Sequence, residues 1–144
     1  VILVDANLLL YAYYPRAAQH APARRWLEQA LSGPDLVRFA WMTISAFLRI
    51  GTNPRAFERP LSFDEAAAAV KSWLDQPCAG ILEPGERHWE ILAEVASEGQ
   101  AVGSLLTDAA LAAIAIEHGA VLHTTDRDFA RFPRLKYANP LADE

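Results

Sequence analysis

Apolar residues open the chain as an unbroken block: Val1, Ile2, Leu3 and Val4 follow one another without polar alternation, and the block stops at Asp5. A run apolar on both faces fits a strand buried between two layers. The pattern then changes period. Asn7–Tyr13 reads as a short helix closed by Pro15, and Pro22–Leu31 as a second, with Trp26, Leu27, Ala30 and Leu31 on one face and Gly33 just beyond. Leu36–Trp41 reads as a second strand. Thr43–Thr52 places Ile44, Phe47, Leu48 and Ile50 at helical spacing, closed by Gly51 and the Asn53–Pro54 turn. Ser62 and Glu65 form a capping box that opens a helix through an alanine run to about Gln76. Gly80–Glu83 reads as a third strand and Gly85–Glu98 as another helix.

Leu105–His118 is apolar almost all round and stops at Gly119, which predicts a helix covered on most sides. Val121–Thr124 follows as a buried-type strand. A short helix over Phe129–Phe132 and an edge strand near Lys136–Ala138 finish the chain. Strands alternate with helices, and neither a repeat nor a long linker divides them. The expected fold is therefore a three-layer α/β/α domain with a mainly parallel sheet, one domain over residues 1–144.

Composition narrows the setting. At 52% hydrophobic and 22% charged, the 144 residues have what a single globular core needs. No apolar run approaches the roughly 20 residues that span a bilayer, and no signal-peptide pattern stands before the first strand, so a cytoplasmic protein without a membrane partner is expected. Cys78 is alone, which excludes an internal disulfide, and with four scattered histidines argues against a structural zinc site. The net charge of −5 argues against non-specific coating of nucleic acid, although a local basic patch is compatible with it. Arg49, Arg55, Arg127 and Arg131 are possible phosphate contacts, with ordinary surface arginines the blander reading. Trp26, Trp41, Trp73 and Trp89 read as core or partner-interface residues. Neither Ser45 nor Ser104 has a nucleophile-elbow context.

The candidate chemistry lies in the carboxylates. Asp5 ends the first strand, Asp126 follows the Val121–Thr124 strand, and Asp108 lies in the first turn of the buried helix. In a parallel sheet all strand C-termini share one edge, and a helix that leads back to a strand starts there too. The fold thus brings Asp5, Asp108 and Asp126 to one rim, with Asp128 close by. Two full charges ~4 Å apart repel by roughly 4 kcal/mol at an effective dielectric of ~20. Either the pKa values rise or a cation neutralises the site. All-oxygen ligands select Mg²⁺ or Mn²⁺ over zinc. Such an ion positions water on a phosphodiester and stabilises charge on the leaving oxygen, which is nuclease chemistry. Structural readings stand beside this one: Asp5 as a helix cap, Asp108 as a first-turn acid favoured by the helix dipole, Asp126 and Asp128 as an Asx-turn. Asn7 reads as a cap or an orienter of Asp5 rather than a ligand.

The segments VDANLLLYA, FLRIGTNPR, LLTDAALAAIAIEHG and TTDRDFARFP, in that order, resemble the PIN-domain family, specifically the VapC-type toxins of bacterial toxin–antitoxin pairs. The resemblance runs from Val1 to about Pro140. It implies a five-stranded parallel sheet, a Mg²⁺- or Mn²⁺-dependent endoribonuclease acting on RNA, a homodimer, and a cognate VapB-like antitoxin that blocks the acidic pocket. Matched by motif, Asp5, Asp108 and Asp126 take the family's acidic ligand positions, Asp128 an additional acid of the same loop, and Asn7, Thr124 and Thr125 the polar positions around the site. One departure stands out. The family's second acid, a glutamate ahead of the FLR segment, falls at Ala46, and alanine cannot ligate a metal. That motivates an alternative, a catalytically weakened RNA- or antitoxin-binding module of the same fold. A phosphotransferase with Asp5 as nucleophile would need an acid two residues on, where Asn7 stands.

Overall fold

The structure, a computed structural model, describes residues 1–142. The strands are β1 (Ile2–Val4), β2 (Val37–Phe39), β3 (Ala79–Ile81), β4 (Val121–His123) and β5 (Tyr137–Ala138). They form one sheet in the order β3-β2-β1-β4-β5, every pair parallel. The helices are α1 (Ala6–Tyr13), α2 (His20–Ser32), α3 (Trp41–Gly51), α4 (Phe63–Leu74), α5 (His88–Glu98) and α6 (Leu105–His118), with a 3₁₀ turn over Arg127–Arg131. The α/β class, the parallel sheet and its five strands are as the sequence and the family resemblance imply.

The side-chain alternation of β1 explains the layers. Leu3 and Val4 point to opposite faces, and both are fully buried. Val4, Val37 and Phe39 pack under α1–α4 with Phe47 and Trp73. Leu3 and Leu122 pack under α5, α6 and the 3₁₀ turn with Phe129 and Phe132. β1 lies between β2 and β4, so the chain's path reverses direction across the sheet between β1 and β4. A crevice at the C-terminal ends of two such strands is where open α/β sheets bind ligands.

Several boundaries move for local reasons. The helix expected from Gly85 begins at His88, because the Glu117 carboxylate accepts from the backbone N–H of Gly85 (2.8 Å) and of Arg87 (3.1 Å) and holds that stretch out of the helix. Trp41 opens α3 instead of closing the second strand, and it is 52% exposed; Trp89 is 75% exposed. Neither is a core residue, unlike Trp73 at 1%. The capping box holds: Ser62 Oγ accepts from Glu65 N–H, and Glu65 Oε1 from Ser62 N–H. α6 has its expected limits, closed by Gly119 at φ 65°, a left-handed position that glycine adopts without strain. At the far end of α5, a Cβ on Gly99 would lie 2.6 Å from the Phe132 ring, so this glycine lets the 3₁₀ turn seat closely. Among the described residues no helix is long and apolar enough to cross a membrane.

Candidate active site

Three chain segments deliver the acids. Asp5 is the residue after β1, and its N–H donates to His123 O at 3.0 Å, the last rung toward β4. Thr124 and Asp126 follow β4, and Asp108 sits in the first turn of α6. Carboxylate oxygens of Asp108, Asp126 and Asp128 all lie within 4.8 Å of one another. The predicted ligand set was Asp5, Asp108 and Asp126, but the closest trio contains Asp128 and leaves Asp5 beside it. Asp5 is occupied otherwise. Its Oδ1 accepts from Ala6 N–H at 2.8 Å and its Oδ2 from the Thr124 hydroxyl at 2.7 Å. The cap reading of Asp5 and the Asx-turn reading of Asp126, whose Oδ1 accepts from Asp128 N–H at 2.9 Å, are both realised. They coexist with the shared rim rather than compete with it.

Thr124 joins the two sides. Its side chain is 1% exposed. The oxygen donates to Asp5 and accepts from Asp126 N–H at 3.0 Å and, more loosely, from Asn7 Nδ2 at 3.4 Å. Asn7 is thereby tied to the Asp5 network, and its Oδ1 is buried without a hydrogen-bond partner among the described residues. Thr125 points elsewhere, onto the wall of a neighbouring cleft with Arg127 and Tyr137.

The electrostatics follow from this crowding. Burial pushes the Asp5 carboxyl above the ordinary carboxylate range, reinforced by Asp126 and opposed by the donors Thr124 and Ala6. Asp108 is pushed up to about 6, first by burial and then by repulsion from Asp126, Asp5 and Asp128, with Arg131 pulling the other way. The Arg131 guanidinium itself donates to Gly99 O at 3.0 Å. A site that raises its own carboxylate pKa values in this manner lacks positive charge. Oxygen-only donors of this number suit a hard divalent cation such as Mg²⁺ or Mn²⁺, and the orphan Asn7 Oδ1 is a further oxygen at the edge of the same network.

Ala46 lines a narrow cleft of about 60 Å³ between α3 and α6, together with Asp5, Thr43 and Asp108. Ala46, where the family resemblance implies a glutamate, thus faces the acidic rim, and its wall there is methyl. Of the arginines singled out in the sequence, Arg131 and Arg127 flank the acids, whereas Arg49 lies in the last turn of α3 and Arg55 beyond it. Sequence reading passed over Tyr137. Its exposed ring on the edge strand has no periodic signature, because β5 is too short to show one.

A family model for the PIN domain matches residues 2–135. Ribonuclease VapC37 of Mycobacterium tuberculosis is 42% identical to the chain over 140 residues, 97% of each protein. Ribonuclease VapC33 of the same species is 37% identical over 143 residues, 99% of this chain and 100% of the relative. Among solved structures, VapBC2 from Rickettsia felis bound to a DNA fragment from its promoter shares the fold with a TM-score of 0.70 at 15% identity, over 96% of this chain and 97% of that one. With acids from three segments at a single parallel-sheet rim and full-length relatives of these identities, the chain belongs to the PIN-domain family, in its VapC group.

Proposed function

We propose that the protein is a divalent-metal-dependent endoribonuclease and the toxin of a toxin–antitoxin pair. The observation that carries this reading is the packing of Asp108, Asp126 and Asp128 oxygens within 4.8 Å beside a half-buried Asp5. The VapC37 and VapC33 relatives, both named ribonucleases, support the reaction class.

In this reading Asp108, Asp126 and Asp128 would hold Mg²⁺ or Mn²⁺, with Asp5 as the fourth acid of the site. The bound ion supplies a lowered pKa for an attacking water and charge stabilisation at the departing oxygen. The chain's own residues do the rest. Thr124 fixes the Asp5 carboxylate and the Asp126 backbone relative to one another, and Asn7 braces Thr124. Asp108, its pKa raised to about 6 by burial and its acidic neighbours, is mostly ionised at pH 7 and would offer a carboxylate to the ion. Thr125 and Arg127 line the cleft that adjoins the acids.

Two kinds of partner belong to this proposal, a VapB-like antitoxin and a second copy of the chain. The VapBC2 assembly supports the first. Apolar surface at the same rim supports a protein partner: Trp41 at the start of α3 is 52% exposed and Leu106, in the first turn of α6, 45%. Ala46 favours a second reading, a weakened binding module, because the acid-lined cleft loses a carboxylate there.

RNA cleavage with Mg²⁺ or Mn²⁺ by the wild type, Asp5→Asn and Asp108→Asn decides between them. Losing one carboxylate of the site, a ligand at Asp108 or its acidic neighbour at Asp5, removes a few kcal/mol of charge stabilisation, so each variant should lose at least about a hundredfold in rate. Equal cleavage by all three proteins overturns the nuclease reading. Absent calorimetric binding of either ion, with RNA binding retained, establishes the module.

A further inference from the structure

Beside the acids, on the far side of the loop that carries Asp126, lies a cleft of about 390 Å³. Its walls come from the Thr125–Arg127 loop, from Ala130 on the 3₁₀ turn, and from Tyr137 and Asn139 at the end of the sheet. Asp126 belongs to both this cleft and the carboxylate cluster, so the two spaces adjoin. The register Leu122↔Tyr137 sets the Tyr137 side chain on the same face as Leu122, the face covered by the 3₁₀ turn. Since β5 is the outermost strand, the ring has no further strand to cover it and remains 43% exposed. Arg127 is exposed and forms no ion pair with an acid among the described residues, in contrast to Arg134, which pairs with Glu94 and Glu98.

An accessible aromatic face, a free guanidinium and a polar loop form the combination that binds unpaired nucleotides: the ring stacks a base and the cation takes the adjacent phosphate. The volume is that of a small-ligand cleft. We infer that this cleft is a substrate subsite that accepts one unpaired nucleotide of a single-stranded RNA next to the phosphate held at the acids, with Tyr137 stacking the base and Arg127 contacting the neighbouring phosphate. The inference rests on the nuclease reading for the position of the scissile phosphate. Asn139 is positioned to read the base edge through its amide Nδ2, since its Oδ1 is engaged by Leu141 N–H at 2.9 Å.

The test separates binding from cleavage. Anisotropy titrations use a fluorescein-labelled, unstructured hexaribonucleotide in Ca²⁺, a hard oxygen-binding ion, with wild type, Tyr137→Ala, Tyr137→Phe and Arg127→Gln. Tyr137→Ala should bind at least about fivefold more weakly and Tyr137→Phe within about twofold of wild type, as stacking requires the ring and not the hydroxyl. Arg127→Gln should bind more weakly and with a salt dependence shallower by about 0.7 in log–log slope, one phosphate contact for single strands. Arg127 is exposed, so that variant reports on binding even if changes at the edge strand disturb folding. Tyr137→Ala and Arg127→Gln both binding as wild type overturns the subsite, whatever the cleavage rates. Binding that depends on Tyr137 together with no cleavage in Mg²⁺ or Mn²⁺ overturns the nuclease reading and leaves the subsite standing.

Discussion

The two ends of α1 solve the same problem in opposite ways. At its C-terminal end Tyr13 puts a polar atom against the core and satisfies it: Trp73 Nε1 donates to Tyr13 Oη at 2.9 Å. Around that bond Tyr13 meets Phe47 and Trp73 edge-on at 5.6 and 5.7 Å, and the Arg24 guanidinium lies 4.8 Å over its ring. At the N-terminal end Asp5 also has two close donors, yet burial and Asp126 still hold its carboxyl above the ordinary range. One end of the helix is closed in itself. The other is arranged so that it becomes favourable only when positive charge is added, which is how a binding site differs from a core.

The largest expected effect is at the closed end. Trp73→Ala removes a 1%-exposed indole, its bond to Tyr13 and its packing on Phe39 and Phe47, and should cost about 3–5 kcal/mol. Against a typical total of about 5–15 kcal/mol that is a large fraction. Urea denaturation measures it. A loss below about 1 kcal/mol would show that the aromatic cluster does not anchor α1 to α4.

Next is Thr124, which ties Asp5 to Asp126 at the open end. Thr124→Val keeps the shape and removes the hydroxyl, leaving Asp5 Oδ2 without its donor and Asp126 N–H without its acceptor. Outer partners of this kind typically contribute 10–100-fold to metal affinity or activity, and calorimetry with Mn²⁺ should find a loss in that range. Thr124→Ser, which retains the oxygen, should restore most of it. Because the lost donor was lowering the Asp5 pKa, the acid limb of the cleavage profile should move to higher pH in Thr124→Val. An unmoved limb with weakened binding would make Thr124 a packing residue only.

How far such contrasts can be read from the chain depends on what sets each one. The layers were legible because β1 is short, apolar and β-branched, and because α6 is apolar all round; both patterns arise from burial itself. The acids' shared rim followed from parallel topology alone. The place of Asp128 in the tightest trio did not, because it depends on how the Asp5 oxygens are engaged: the local cap to Ala6 N–H was legible, but the Thr124 hydroxyl, 119 residues away in sequence, was not. The start of α5 was missed for a similar reason: Glu117, on another helix, holds Gly85 and Arg87. Tyr137 acquires its exposure from being on the last strand, a property of strand order and not of local pattern.

The smallest effect tests the open end most directly. Asp108 has a folded-state pKa of about 6 against an ordinary value of 3.8, so between these pH values the folded protein binds the proton more tightly than the unfolded chain. Stability from this group is then fully present below about pH 4 and is lost as pH rises through about 6. Asp108→Asn escapes that loss. With a discount for the group's partial solvent exposure, the gain at pH 7 should be about 1 kcal/mol, or about 2–4 °C in Tm, and it should vanish near pH 4. Millimolar Mg²⁺ or Mn²⁺ should reverse the order at pH 7, because an ion that binds only the folded wild type stabilises it in proportion to occupancy. Cleavage by the wild type should rise through the same pH interval, as Asp108 loses the proton that competes with the ion. A variant less stable than wild type at pH 7 without metal would mean that the carboxylates do not repel as their spacing requires, and the contrast between the two ends of α1 would fail at its open end.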